Sequence, residues 1–201
     1  MELVIASFNS HKVQELREAL KVLAPHVQVM SLFDFPQYRR PDDAAFDSFE
    51  EQAKAKALHA SSALKKVCLA DDSGIIVPAL QKVGAKLLRR YQHDTNSHIE
   101  QTKKLLDEIK SFKDLERQAY LECSLAIAAP SGKIKCVTQR SEGYLADEER
   151  GKINFEFDSI FIKHDYRKTL GELTSSVKNR ISHRRKALEK LIAAIEQFVR
   201  A

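Results

Sequence analysis

The chain has 201 residues, 43% of them hydrophobic and 30% charged, enough for one core or for one domain with two lobes. Net charge is +5 with basic and acidic residues mixed along the chain, which excludes a polybasic tail and suits a small anionic ligand such as a nucleotide. No stretch approaches the ~20 apolar residues of a membrane span, the N-terminus lacks the features of a signal peptide, and Cys68, Cys123 and Cys136 show neither disulfide nor zinc spacing, so a reducing cytoplasm is expected.

Residues 3–6 form a short apolar run and read as a buried strand. Asn9 and Ser10 offer caps for a helix whose apolar face is Val13, Leu16, Leu20 and Leu23, ended by Pro25. Residues 27–30 read as the next strand, and 31–44, with Pro36 and Pro41, as loop. A helix is expected over 47–64, with Phe49, Ala53, Ala57 and Ala60 on one side. Apolar runs at 67–70 and 75–77 then flank Asp71-Asp72-Ser73-Gly74. Residues 79–91 and 99–109 look helical. Strands at 119–129 and 135–145 are joined by Pro130-Ser131-Gly132-Lys133, and 155–162 is a further strand candidate. Ser182 caps a last helix with Ala187, Leu188, Leu191, Ile192, Ile195 and Val199 as its buried stripe. Helices alternating with strands, followed by a hairpin, predict an α/β fold with a mixed sheet.

Five constellations could carry chemistry. Asp71-Asp72-Ser73-Gly74 consists of ordinary turn formers, but two carboxylates at a strand end could also hold a hard cation and activate water. Ser7-Phe8-Asn9-Ser10-His11-Lys12 joins strand to helix; its backbone N–H groups, short side chains and one lysine would cradle phosphates, or simply cap a helix. Asp42-Asp43, Glu50-Glu51, Lys54 and Lys56 offer a second metal carboxylate and a phosphate-reaching lysine among charges that otherwise read as solvated. Phe155 and Phe157 beside Asp158 suit stacking on a base, although Phe in a strand is usually core. Further on, Lys178, His183 and Arg184 supply donors at a helix start, where cations oppose the macrodipole and call for an acceptor.

In fixed order these signals resemble the inosine triphosphate pyrophosphatase family. The resemblance rests on Ser7 through Lys12, Ser48-Phe49-Glu50-Glu51-Gln52-Ala53 with Lys56, Leu69-Ala70-Asp71-Asp72-Ser73-Gly74, Arg150-Gly151 through Phe155, Asp158, Ile160 and Phe161, then Lys168-Thr169, Glu172-Leu173, Lys178-Asn179 and Ile181-Ser182-His183-Arg184. It spans essentially the whole chain. The resemblance implies one nucleoside triphosphate pyrophosphatase domain over residues 1–201, with an elongated mixed central sheet flanked by helices and two lobes with a cleft between them. It implies hydrolysis of ITP, dITP and XTP to the monophosphate and pyrophosphate, with Mg²⁺ as cofactor. It also implies a homodimer, with no specific nucleic acid and no membrane as partner. Asp72 would be the general base, Lys12 and Lys56 would stabilise phosphate charge, and Asp71, Asp72 and Asp43 would place the metal. Ser7, Asn9, Ser10, Lys12 and Ser73 would hold the phosphates; Phe155, Asp158, Lys178, His183 and Arg184 would bind the nucleoside and read the purine edge.

The chain departs from the family pattern at several points. Phe8 replaces a glycine, Asp42-Asp43-Ala44-Ala45 stands where a metal-binding Glu is usual, and Ser159 replaces a proline. Asn154 and Glu156 flank the expected stacking Phe155, and a glycine-rich segment is reduced to Val83-Gly84 with Arg89-Arg90-Tyr91. The expectation is therefore a divergent enzyme. The alternative is a nucleotide-binding protein of the same fold with another substrate, such as a modified pyrimidine triphosphate, or with little turnover.

Overall fold

The computed structural model describes residues 2–39, 48–81, 98–152, 155 and 157–200. Its strands are β1 (Glu2–Ile5), β2 (Gln28–Ser31), β3 (Cys68–Ile76), β4 (Gln118–Ala128), β5 (Ile134–Leu145) and β6 (Phe161–Lys163). They form one sheet in the order β2-β1-β3-β4-β5-β6. β1 pairs in parallel with β2 and with β3, whereas β5 and β6 are antiparallel. The fold is thus α/β with a mixed sheet, as the sequence predicts.

The helices are α1 (Ser10–Leu23), α2 (Phe49–Leu64), α3 (Pro78–Gln81), α4 (His98–Glu108), α5 (Ser175–Ile181) and α6 (His183–Arg200) among the described residues. Asn9 caps α1 by accepting from the Lys12 N–H, and Ser48 caps α2 by accepting from the Glu51 N–H. Both caps satisfy N–H groups that the first helical turn leaves unpaired. The expected helical segment 79–91 is described only to residue 81, and its remainder lies outside the described residues.

Two compact units emerge. The first comprises residues 1–73, 123–139 and 182–201; the second comprises 74–122 and 140–181. In the first unit, strand alternation sorts side chains onto two faces. Leu3, Ile5, Leu69, Cys123, Leu125 and Ile127 pack with α1 and α6. Val4, Ala6, Cys68, Ala70, Ala126 and Ala128 form the other face, against Ala53, Ala57 and Ala60 of α2. Small residues on both sides of that second interface let α2 lie close to the sheet. The second unit has its own core of Ile75, Leu105, Ile109, Leu121, Leu145, Phe157, Ile160 and Phe161.

Three expectations are corrected. Residues 71–74 are not a break between two strands, because β3 runs through them with every residue buried. Residues 157–160 form a turn, not strand: the Ile160 and Phe161 N–H groups both donate to the Phe157 carbonyl, at 3.1 and 2.9 Å, and only 161–163 pair. The aromatic run reads like a strand because Phe157, Ile160 and Phe161 are all core. Finally, Lys178 does not open the last helix. It belongs to α5, and α6 starts after Ser182, whose Oγ accepts from the Arg185 N–H at 3.1 Å.

Candidate active site

β3 positions the central chemistry. Successive strand residues face opposite sides of a sheet, so Asp71 and Asp72 are divided. Asp71, on the face of Leu69, meets α1 and α6: its Oδ1 lies 2.8 Å from the Lys12 Nζ and its Oδ2 3.1 Å from the Arg184 Nε. Ser73, two residues on and therefore on the same side, accepts from Lys12 Nζ at 2.9 Å and from Arg184 Nη2 at 2.8 Å. Arg184 Nη1 donates to Glu15 Oε2 at 3.0 Å. Asp72 has a different partner, the Lys56 Nζ of α2 at 2.6 Å.

Most of these charges are out of water: the side chain of Asp71 is 0% exposed and that of Arg184 3%, while that of Lys56 keeps 30%. Buried charges persist only when paired and hydrogen-bonded. Burial alone would raise the Asp71 carboxyl, but Lys12 and Arg184 beside it, helped by Lys56, outweigh burial and hold it well below the usual carboxylate range. Asp72 goes the other way. Burial pushes its carboxyl up, Asp71 next to it adds to the rise, and Lys56 and Lys12 offset this only in part. One strand therefore carries a carboxyl held down by two cations beside another that burial pushes up.

At the start of α1, Ser7 Oγ accepts from the Asn9 N–H at 3.1 Å, and Asn9 Oδ1 accepts from the Lys12 N–H at 3.1 Å. Ser10 is exposed as the first residue of α1, and His183 is buried as the first of α6. Phe8 is part-exposed and makes an edge contact with Phe33, ring centroids 5.9 Å apart.

The second unit holds the remaining expected residues together. Lys178 Nζ lies 2.5 Å from Asp158 Oδ2 and 5.1 Å from the centroid of Phe155. A backbone bracket holds the Asp158 main chain. Gly171 donates to the Asp158 carbonyl at 2.7 Å, Lys152 donates to the Gly171 carbonyl at 2.9 Å, and Thr169 Oγ1 donates to the Arg150 carbonyl at 2.9 Å. Gly151 has φ +79°, and a Cβ there would stand 2.3 Å from the Gly171 carbonyl carbon. The sequence elements Arg150-Gly151 and Lys168-Thr169 thus meet as two strips of backbone in contact, which requires a glycine.

Asp43, Asn154 and Glu156 lie outside the described residues, as do Gly84, Arg89, Arg90 and Tyr91. Among the described residues no three or more His, Cys, Asp or Glu side chains gather into a metal-holding cluster. Sequence reasoning missed Glu15. Its spacing of three from Lys12 on α1 is the signal that could have found it, because residues i and i+3 share a helix face. It also missed Cys123, whose thiol stands 3.5 Å from Asp71 Oδ2. All three cysteines are free, and burial pushes Cys68 up to about 12 and Cys136 up to about 11, which disfavours their thiolates.

The profile of the Ham1 family matches residues 3–194. The chain belongs to the Ham1 family. Curated relatives of this Ham1 chain include the dITP/XTP pyrophosphatase of Protochlamydia amoebophila, 43% identical over 98% of this chain and 99% of the relative. The dITP/XTP pyrophosphatase of Chlamydia caviae is 38% identical over 99% and 96%. Among solved structures, the Ham1 protein of Staphylococcus aureus superposes with a TM-score of 0.79 at 31% identity, covering 98% of this chain and 99% of that one. The HAM1 protein of Coxiella burnetii gives 0.80 at 31% identity with the same coverage. The resemblance read from the motifs is thus a family membership, and the mixed α/β fold is the family's. No helix among the described residues is long and apolar enough to cross a membrane.

Proposed function

We propose that this Ham1 protein hydrolyses deaminated purine nucleoside triphosphates, dITP, ITP and XTP, to the monophosphate and pyrophosphate. The observation that carries the reading is the pair of adjacent carboxylates with opposite environments, set among Lys12, Lys56, Ser73 and Arg184. The dITP/XTP pyrophosphatases that match nearly the whole chain support the same chemistry.

Each residue then has a role. Asp72, with its raised carboxyl, accepts the proton of the water that attacks the α-phosphorus. Lys12 and Lys56 stabilise negative charge as it shifts onto the pyrophosphate leaving group. Ser7, Asn9, Ser10 and Ser73, with the N-terminal N–H groups of α1, hold phosphate oxygens. Phe155 stacks on the base, Asp158 contacts the nucleoside, and Lys178, His183 and Arg184 face the purine edge. Hypoxanthine and xanthine present an acceptor at C6 where adenine presents a donor. Donors aimed there favour the former and leave hydrogen bonds unmade with the latter.

The donor chemistry suits Mg²⁺. This cation uses one or two carboxylates together with substrate phosphates and does not need an all-protein cage, which fits a buried Asp72 in a region with no dense ligand cluster among the described residues. Asp72 and Asp43 would hold it. When bound, it neutralises phosphate charge and lowers the pKa of a coordinated water. The remainder of the proposal is one domain spanning both units, a homodimer, and action on free nucleotides of the cytoplasm without a specific nucleic-acid partner. Light scattering in solution checks the dimer. The reaction is checked by incubating purified protein with dITP and Mg²⁺ and separating the products. Pyrophosphate in equal yield to dIMP is expected; orthophosphate and dIDP, or no product with any divalent metal, would refute it.

A further inference from the structure

We propose that Asp71 is a positioning residue: from the face of β3 opposite Asp72 it fixes the Lys12 ammonium and the Arg184 guanidinium where the nucleotide meets them, with Glu15 as a second anchor. The role presupposes that Lys12 and Arg184 touch substrate, as proposed above. Its geometric basis is that each Asp71 oxygen takes a different cation, Oδ1 at 2.8 Å from Lys12 and Oδ2 at 3.1 Å from Arg184. One rigid carboxylate on a strand therefore sets the spacing of two cations that come from two helices.

The guanidinium is held along its whole fork. Nε meets Asp71, Nη2 meets Ser73 at 2.8 Å and Nη1 meets Glu15 at 3.0 Å. Three partners in three directions fix the plane as well as the position, which a single ion pair would not do. Lysine is the opposite case, a flexible stem with a point charge; Asp71 and Ser73 hold its Nζ from one side. Ordering these side chains in advance removes entropy that would otherwise be lost on reaching the transition state. A divalent cation at Asp71 would have to displace an ammonium or a guanidinium from a side chain with 0% exposure and sit beside the displaced like charge. The strand's alternation thus separates two tasks: Asp72 works on one side, and Asp71 aligns cations on the other.

The test compares wild type with Asp71→Asn and Glu15→Gln. It measures pyrophosphate release from dITP across a Mg²⁺ titration, melting temperature, and binding of inorganic tripolyphosphate to metal-free protein by calorimetry. Per folded molecule, Asp71→Asn should lose about 100-fold in kcat, the scale of a cation misplaced by roughly 1 Å. KM should not rise and the half-saturating Mg²⁺ should not move. Metal-free Asp71→Asn should bind tripolyphosphate at least as tightly as wild type, because one negative charge has gone. Glu15→Gln should show the same pattern with about 10-fold in kcat, and it decides the matter if Asp71→Asn does not fold. A folded variant with kcat within about threefold of wild type would reduce the role to structure alone. A half-saturating Mg²⁺ raised about tenfold or more would make Asp71 a metal ligand. Either result overturns the proposal while leaving the pyrophosphatase reading in place; an inactive wild-type protein would instead overturn that reading and this role with it.

Discussion

Asp71 and Asp72 are neighbours in sequence whose carboxyls shift in opposite directions: burial raises Asp72, whereas at Asp71 Lys12 and Arg184 outweigh burial. Lys12 and Arg184 converge on Asp71, while Asp72 has Lys56. Replacing the proposed base, Asp72→Asn, should lower kcat for dITP by roughly 10²–10⁴-fold, the usual worth of a general base, with the protein still folded. Pyrophosphate release and circular dichroism check this together. Asp71 makes a separate prediction about stability. Its folded carboxyl is held below the unfolded value of about 3.9. Such a group contributes stability that is fully present above the unfolded value and is lost as pH falls below it toward the folded value. Asp72, raised on folding, has the opposite sign: its contribution is present below the unfolded value and lost as pH rises through the folded one. Denaturant titrations between about pH 5 and pH 3 should therefore show wild type losing stability more steeply than Asp71→Asn. Parallel curves would mean that the Asp71 carboxyl is not held down.

At the scale of elements, the bracket formed by Gly151 and Gly171 is a sensitive feature of the second unit. Gly151→Ala must place a Cβ 2.3 Å from the Gly171 carbonyl carbon at a φ of +79°, so both strips of backbone must separate. A loss of about 1–3 kcal/mol is expected, with weaker dITP binding because Asp158 is held through Gly171. Chemical denaturation and KM check it; a loss below about 0.5 kcal/mol would show that the contact gives freely. Most elements were legible from periodicity and caps. Asn9, Ser48 and the apolar stripes of α1, α2 and α6 are local signals that local structure obeys. β3 was not legible as one strand because Asp71-Asp72-Ser73-Gly74 has the composition of a turn. It stays extended and buried because Lys12, Arg184 and Lys56, distant in sequence, supply the counter-charges. Phe157 through Phe161 misled in the reverse sense: burial made a turn look like a strand.

For the whole molecule, motif order showed the family before geometry did, and the Ham1 profile and relatives bear that out. The grouping of the candidate site was only partly legible. Ser7, Asn9, Lys12, Lys56, Asp71 to Ser73, His183 and Arg184 all fall in the first unit, whereas Phe155, Asp158 and Lys178 fall in the second. Spacing along the chain carries no trace of that division, because Lys178 and Arg184 are only six residues apart. Base choice is the property that separates a dITP/XTP pyrophosphatase from a general nucleotide hydrolase. The most direct measurement is kcat/KM for pyrophosphate release from dITP and from dATP with Mg²⁺ on the same preparation. The account predicts a preference for dITP of about 100-fold or more, since adenine's amino group would leave donors of the site unpaired. Equal rates for the two nucleotides, or a preference for dATP, would contradict it.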